Sequence, residues 1–179
     1  MRSVLSWIAA AGLTLPVFAQ APLPQAYLRT RTSFDLLVHA SYATTAPLFG
    51  PNGERAWAGK HWDPQFIFPQ PAKDVEGAVF TVRHGPLSAA WVNTLFDIEG
   101  RHFQYVYFLT DLMVTVIDVR FTPVDGNSTA VNVVYTRTAL TLEGNEHVTA
   151  MTEGDQSAGK EWQSAIDDYL ARGKTGLRP

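Results

Sequence analysis

The stretch that decides the fold is residues 145–172, NEHVTAMTEGDQSAGKEWQSAIDDYLAR. Its apolar residues recur at steps of three and four, with one gap, which places them on one face of an α-helix. They are Val148, Met151, Ala158, Trp162, Ile166 and Tyr169. Gly173 follows at a position where a helix commonly ends. The pattern therefore predicts a long helix that must bury one apolar stripe.

The chain before this helix predicts strands joined by tight turns. Apolar and polar residues alternate in several short ranges, and Asp125-Gly126 is a strong hairpin signal. The predicted strands are 28–38, 65–68, 78–84, 89–97, 102–109, 112–122 and 128–142. A short helical region is expected within 41–49. This spacing is typical of an antiparallel meander with one face exposed to water.

The order of these elements predicts an α+β fold. It is strand, short helices, six further strands and a long helix, in which a curved antiparallel sheet wraps around the C-terminal helix. A chain of 179 residues is long enough for one such domain with its own core. We assign residues 20–26 to a tether, 27–173 to the domain and 174–179 to a C-terminal tail.

Residues 1–19 have the features of a secretory signal peptide. Arg2 supplies a positive start, residues 4–17 are mostly apolar, and Val17-Phe18-Ala19 suits a signal peptidase. The alternative is a retained membrane anchor, although the apolar run is shorter than the roughly 20 residues a spanning helix needs. We therefore expect a secreted protein, most simply in a bacterial periplasm, with no membrane span after cleavage.

Composition excludes several classes of function. The formal charge is −3 at pH 7, so no basic face for nucleic acid is indicated. The absence of cysteine excludes disulfides and thiolate chemistry. No phosphate-binding glycine motif and no Gly-x-Ser-x-Gly elbow is present, and the five histidines lack metalloprotease spacing. We expect no metal and no cofactor, and the sequence leaves the oligomeric state open.

Two local patterns suggest a family. One is FGPNGERAW at 49–57, followed by Gly59, by WDP at 62–64 and by EGAVF at 76–80. The other is YTRTAL at 135–140, at the end of the last strand. Together with the element order, they resemble the START-like, or SRPBCC, superfamily, whose fold is called the helix-grip. The resemblance covers about residues 27–172 and is greatest to uncharacterised bacterial members.

This resemblance implies a deep cavity between the sheet and the long helix. Such cavities hold apolar or aromatic small molecules, so lipids, fatty acids and aromatic metabolites are the expected partners. The superfamily also includes aromatic-polyketide cyclases. It has no universal catalytic motif, so no catalytic residue is carried over to this chain.

Arg137 and Asp155 are the polar residues that the pattern singles out. Strict alternation turns Arg137 toward the cavity, where its guanidinium could bind a carboxylate or polarise a carbonyl; the alternative is a strand end that lets it reach water. Asp155 falls in the gap of the helical stripe. Because an isolated buried charge is very costly, we hypothesise that the two residues pair across the cavity. The alternative is that Gly154 and Gly159 loosen the helix and leave Asp155 solvated.

Aromatic residues supply the remaining candidates for ligand contact. We predict polar-tipped cavity walls at Trp91, Tyr105 and Tyr135, with Met151 and Trp162 contributed by the helix; the alternative for each is ordinary core packing. The facing of strands 89–97 and 102–109 stays open, because both faces carry aromatic residues.

Three functions remain open at this stage. The first is an exported carrier of a hydrophobic small molecule. The second is an enzyme of the cyclase or dehydratase type, which would need an acid or base from Asp155, His84 or Tyr135. The third is a protein-interaction module with a filled core. An open apolar cavity favours the carrier, and convergent titratable groups within it favour the enzyme.

Overall fold

The computed structural model describes residues 26–175, with side chains to residue 173. The predicted signal peptide, residues 20–25 of the tether and residues 176–179 of the tail lie outside the described residues. Within 26–175, no helix is both long and apolar enough to cross a membrane.

Seven strands and three α-helices follow one another in the predicted order. The elements are β1 (Arg29–Val38), α1 (Tyr42–Thr45), a 3-10 turn (Ala46–Phe49), α2 (Pro51–Glu54), β2 (Gln65–Phe68), β3 (Val79–His84), β4 (Leu87–Asp97), β5 (His102–Leu109), β6 (Met113–Asp125), β7 (Ser128–Ala139) and α3 (Leu142–Thr175).

The strands form one antiparallel sheet in the order β1-β7-β6-β5-β4-β3-β2. Every neighbouring pair except β1 and β7 is consecutive in sequence. The sheet curves around α3, which packs chiefly against β1, β7 and β6. This arrangement confirms the predicted α+β helix-grip architecture.

Both ends of the long helix differ from the prediction. The helix begins at Leu142, three residues early, because the Thr141 hydroxyl accepts a hydrogen bond from the Gly144 amide at 3.1 Å and caps the first turn. It also continues through Thr175, so the predicted end at Gly173 is wrong. Glycine weakens a helix without forbidding one. The last strand consequently ends at Ala139 rather than at residue 142.

Residues with odd numbers face the helix on β5, β6 and β7 and on the first part of β4. Phe103, Tyr105, Tyr107 and Leu109 are buried on β5, as are Ala89, Trp91 and Asn93 on β4. A register shift between Asn93 and Leu95 interrupts the alternation on β4. The burial of these odd-numbered residues shows which faces of β4 and β5 point toward the helix, which the sequence left open.

Candidate functional site

A cavity of 660 Å³ lies between the sheet, the long helix and the segment of residues 49–62. Most of its walls are apolar or aromatic. The sheet contributes residues that include Val82, Trp91, Tyr105 and Tyr135, and α3 contributes Glu161, Trp162 and Ala165. Pockets of this volume and lining commonly hold small organic molecules.

The third wall is built by the turn-rich segment, which aromatic side chains hold in place. Trp57 Nε1 donates to the Leu48 carbonyl at 2.7 Å, and Trp62 Nε1 donates to the Pro51 carbonyl at 2.9 Å. The Tyr105 hydroxyl donates to the Phe49 carbonyl at 2.6 Å. The two tryptophan bonds therefore fix the conformation of the segment itself, and the Tyr105 bond attaches it to β5 of the sheet.

Three aromatic rings pack around one another at this end of the cavity, and we call them the aromatic triad: Phe49, Trp57 and Trp162. Their ring centroids are 6.1 Å apart for Phe49 and Trp57, 5.3 Å for Trp57 and Trp162, and 6.4 Å for Phe49 and Trp162. All three residues line the cavity. The triad therefore joins the turn-rich segment to α3.

Five of the candidates from the sequence line the cavity. They are His84, Trp91, Tyr105, Tyr135 and Trp162. Their contact with a ligand stays a prediction, and Tyr105 already uses its hydroxyl to hold the Phe49 carbonyl. Arg137, Met151 and Asp155 are not among the lining residues. Met151 instead packs against the core, where its sulfur accepts a 3.4 Å hydrogen bond from the Tyr107 hydroxyl.

Arg137 and Asp155 form the hypothesised ion pair, but neither residue lines the cavity, so the pair is buried and does not lie across it. Two guanidinium nitrogens of Arg137 donate to the two carboxylate oxygens at 2.5 and 2.9 Å, and the Thr32 hydroxyl donates to the same carboxylate. The residues are only 4% and 9% exposed. The alternatives, a solvated Arg137 and a solvated Asp155, are therefore wrong.

Contacts close to the ion pair hold β7, β1 and α3 together. The guanidinium carbon of Arg137 lies 4.3 Å from the centroid of the Tyr135 ring. A Cβ at Gly159 would lie 2.9 Å from the Asp35 carbonyl of β1, so this glycine lets α3 approach the sheet rather than loosening the helix.

Glu54, at the end of α2, is the titratable cavity residue that sequence reasoning missed. Burial raises the pKa of its carboxyl well above the ordinary value, and the charge of the nearby Asp74 raises it further. Among the described residues the Glu54 carboxyl has no hydrogen bond and no ion pair. A single glutamate in a glycine- and proline-rich turn ordinarily indicates a solvated surface, so only the position of the turn could have identified it.

The short helix α2, which carries Glu54, is held in place by hydrogen bonds to Asp74 and by close backbone packing. The Asp74 carboxylate accepts hydrogen bonds from the amides of Asn52 at 3.0 Å and Gly53 at 3.4 Å. A Cβ at Gly53 would lie 1.8 Å from the Pro47 carbonyl, so only glycine allows this close packing. The position of Glu54 is thus set by backbone contacts rather than by its own side chain.

Three further titratable groups of the cavity are perturbed by burial, which raises the pKa of Tyr105 well above its ordinary value. Burial raises the pKa of Tyr135 strongly, and the neighbouring Glu54 raises it further, so the phenol stays protonated. Burial lowers the pKa of His84, whose ring stacks on those of Trp91 and Tyr107 with centroids 6.4 and 5.9 Å away. Carboxyl, phenol and imidazole groups therefore share one apolar cavity.

The described residues contain no group of three His, Asp or Glu side chains that could hold a metal ion.

Comparison with known proteins shows the fold. No family model matches this sequence, and no curated protein does. Among solved structures, norcoclaurine synthase from Thalictrum flavum in complex with dopamine and hydroxybenzaldehyde is similar with a TM-score of 0.60 at 14% identity, covering 94% of this chain and 99% of that chain. The protein XoxI from Bacillus cereus gives 0.58 at 15% identity, covering 76% and 94%.

The structure of Ara h 8.0201 is similar with a TM-score of 0.55 at 11% identity, and the match covers 80% of this chain and 99% of that one. These similarities, together with the curved antiparallel sheet around the long helix, show that the described chain has the helix-grip fold, as its sequence predicted.

Proposed function

We propose that this protein binds a hydrophobic small molecule in the cavity under its C-terminal helix. The observation that carries the proposal is the 660 Å³ cavity, whose walls are mainly aromatic and aliphatic. Burial of apolar ligand surface contributes about 25 cal/mol per Å², and the few polar groups set its orientation. The open volume disfavours a module with a filled core.

A cavity-filling substitution tests this proposal. Ala165 lines the cavity from α3, so Ala165→Phe places a ring in the ligand space, whereas Ala150→Phe places the same ring on the exposed face of the same helix. We expect the neutral fluorescent probe 6-propionyl-2-dimethylaminonaphthalene to bind the unmodified protein and the Ala150 variant. The Ala165 variant is expected to bind at least tenfold more weakly. Equal binding by all three would overturn the proposal.

An enzyme is the second candidate, because titratable groups converge on the cavity. Glu54 combines a raised pKa with access to the ligand space, which suits a general acid or base near neutral pH. Asp155, by contrast, is bound by Arg137 and Thr32. Turnover of a bound ligand that stops in Glu54→Gln, with binding retained, would support this candidate over a carrier.

Export is a separate proposal that rests on residues 1–19 alone. We expect the protein recovered from the cell envelope to begin at Gln20. Edman sequencing tests this expectation, and a mature chain that still carries residues 1–19 would contradict it.

A further inference from the structure

The Glu54 carboxyl is a half-buried group of the cavity that the fold leaves without a counter-ion, whereas the other charged lining residues, Arg83 and Glu161, are exposed. It lines the cavity, and its neighbours on the sheet are the phenols of Tyr105 and Tyr135, whose pKa values it raises. The nearby Asp74 is a second carboxylate, whose negative charge repels a negative charge on Glu54. Among the side chains of residues 26–173, no basic group is bound to Glu54.

Of the arginines in this region, Arg83 also lines the cavity but is exposed to solvent, and two others are already engaged. Arg137 is bound to Asp155, and Arg55 donates to Asp63 at 2.6 Å and to the Pro64 carbonyl. The fold therefore places an ionisable carboxyl at one end of an apolar cavity and binds these two guanidinium groups to other residues. A ligand with a positive charge at that end would supply the counter-ion for Glu54 that the protein does not provide.

The rings at this end of the cavity favour the same sign of charge. The aromatic triad lines the cavity, and Glu54 is three residues before Trp57, in the turn that the Trp57 amide closes on the Glu54 carbonyl at 3.1 Å. The faces of aromatic rings attract cations, most strongly those of tryptophan. A carboxylate beside tryptophan and tyrosine rings is the chemistry that recognises an organic ammonium group.

We propose that the ligand of this cavity is an organic cation, an amine or quaternary ammonium compound with an apolar body, and that Glu54 is its counter-ion. This inference rests on the proposed function, because it names the class of molecule that the cavity takes. The apolar body occupies the space between Trp91 and Ala165, and the ammonium group lies at Glu54 beside the aromatic triad.

Two probes of nearly equal shape test the charge separately from the shape. Benzyltrimethylammonium carries a fixed positive charge, and neopentylbenzene is its neutral carbon counterpart. Each is measured by competition with the naphthalene probe. We expect the cation to bind the unmodified protein at least tenfold more tightly than the neutral compound. In Glu54→Gln this preference is lost while the neutral compound binds within twofold of its original affinity.

Glu153→Gln is the matched control, because Glu153 is an exposed carboxylate of α3 outside the cavity lining. It is expected to keep the full preference for the cation. Binding of the neutral compound without any preference for the cation would overturn this inference and leave the proposed function standing. A preference that survives in Glu54→Gln would also overturn it. Absence of binding by both compounds and by the naphthalene probe would overturn both proposals.

The pH dependence gives a second readout. A protonated Glu54 must release its proton when a fixed cation binds, so the affinity is expected to rise with pH through the raised pKa of the empty site and then level off. Neutral binding is expected to stay flat. Glu54→Gln is measured at each pH, because other titratable and charged groups face this end of the cavity: Asp74, His61, Arg83, His84, Tyr105, Tyr135 and Glu161. A rise of equal size in Glu54→Gln would contradict the assignment to Glu54.

Discussion

Arg137 and Asp155 stabilise the interior only as a pair. Their charges are removed from water, and each is compensated almost entirely by the other. Breaking such a pair leaves one buried charge without a partner, whereas replacing both residues with apolar ones of similar volume is often neutral.

We expect Asp155→Ala to lower the free energy of unfolding by about 3–5 kcal/mol, because it strands the Arg137 guanidinium. The double variant Arg137→Met, Asp155→Leu is expected to recover most of that loss. Urea denaturation of the two variants and of Arg137→Met alone measures the coupling. Additive losses in the double variant would show that the pair does not act as a unit.

Unlike the charges of the Arg137–Asp155 pair, a charge on Glu54 has no partner and destabilises the folded state, because burial favours the neutral carboxyl. Its folded pKa lies above its unfolded value near 4.5, so the folded state binds the proton more tightly. Stability is then highest below the unfolded pKa and falls as pH rises through the window between the two values. Each tenfold difference in proton affinity corresponds to about 1.4 kcal/mol.

We therefore expect Glu54→Gln to flatten this fall. The variant should gain stability relative to the unmodified protein at pH 8 and lose the advantage at pH 4. Urea denaturation at pH 4, 6 and 8 checks the sign, with Glu153→Gln as the exposed control. A Glu54 variant that is less stable at pH 8 than at pH 4, by as much as the unmodified protein, would contradict the assignment.

At the scale of elements, two glycines of α3 have opposite roles. Gly154 is exposed, and a Cβ there would meet nothing within 4 Å. Gly159 is buried, and a Cβ there would meet the Asp35 carbonyl at 2.9 Å and the Phe34 ring at 3.3 Å. Alanine has the higher helix propensity at both positions, but only Gly154→Ala leaves the contact between α3 and β1 unchanged.

We expect Gly154→Ala to raise the free energy of unfolding by about 0.5–1 kcal/mol, since alanine is the better helix former. Gly159→Ala should show no gain or a net loss, because the helix must move away from β1. Thermal unfolding of the two variants provides the comparison. An equal gain in both would show that the contact between α3 and β1 is not tight.

Elements whose pattern is periodic were predictable from the sequence, and those held by single tertiary contacts were not. Alternation located the strands and the inward face of Arg137, and helical spacing placed Asp155 on the same interface. Glu54 was missed because its direction depends on hydrogen bonds that the Asn52 and Gly53 amides donate to Asp74, some 20 residues away in sequence. The register shift after Asn93 has no local signal either.

At the scale of the described molecule, the sheet and the long helix enclose a cavity that their side chains do not fill. A ligand that binds only the folded form adds RT ln(1 + [L]/Kd) to stability, which is about 2.7 kcal/mol at a concentration 100 times the Kd. We expect the neutral naphthalene probe to raise the unfolding temperature of the unmodified protein and of Ala150→Phe. Differential scanning calorimetry should show no such rise for Ala165→Phe.

The donors Trp57, Trp62 and Tyr105 have a consequence for how this space responds to an occupant. Because rings of the cavity wall also hold the carbonyls of residues 48, 49 and 51, the wall cannot reshape itself around a guest without breaking its own attachment. The binding site is then preorganised, so a ligand should bind with little loss of conformational entropy in the wall. Calorimetry should record a negative heat-capacity change on binding, and the amides of residues 48–62 that exchange only when the wall opens should exchange more slowly with a ligand bound.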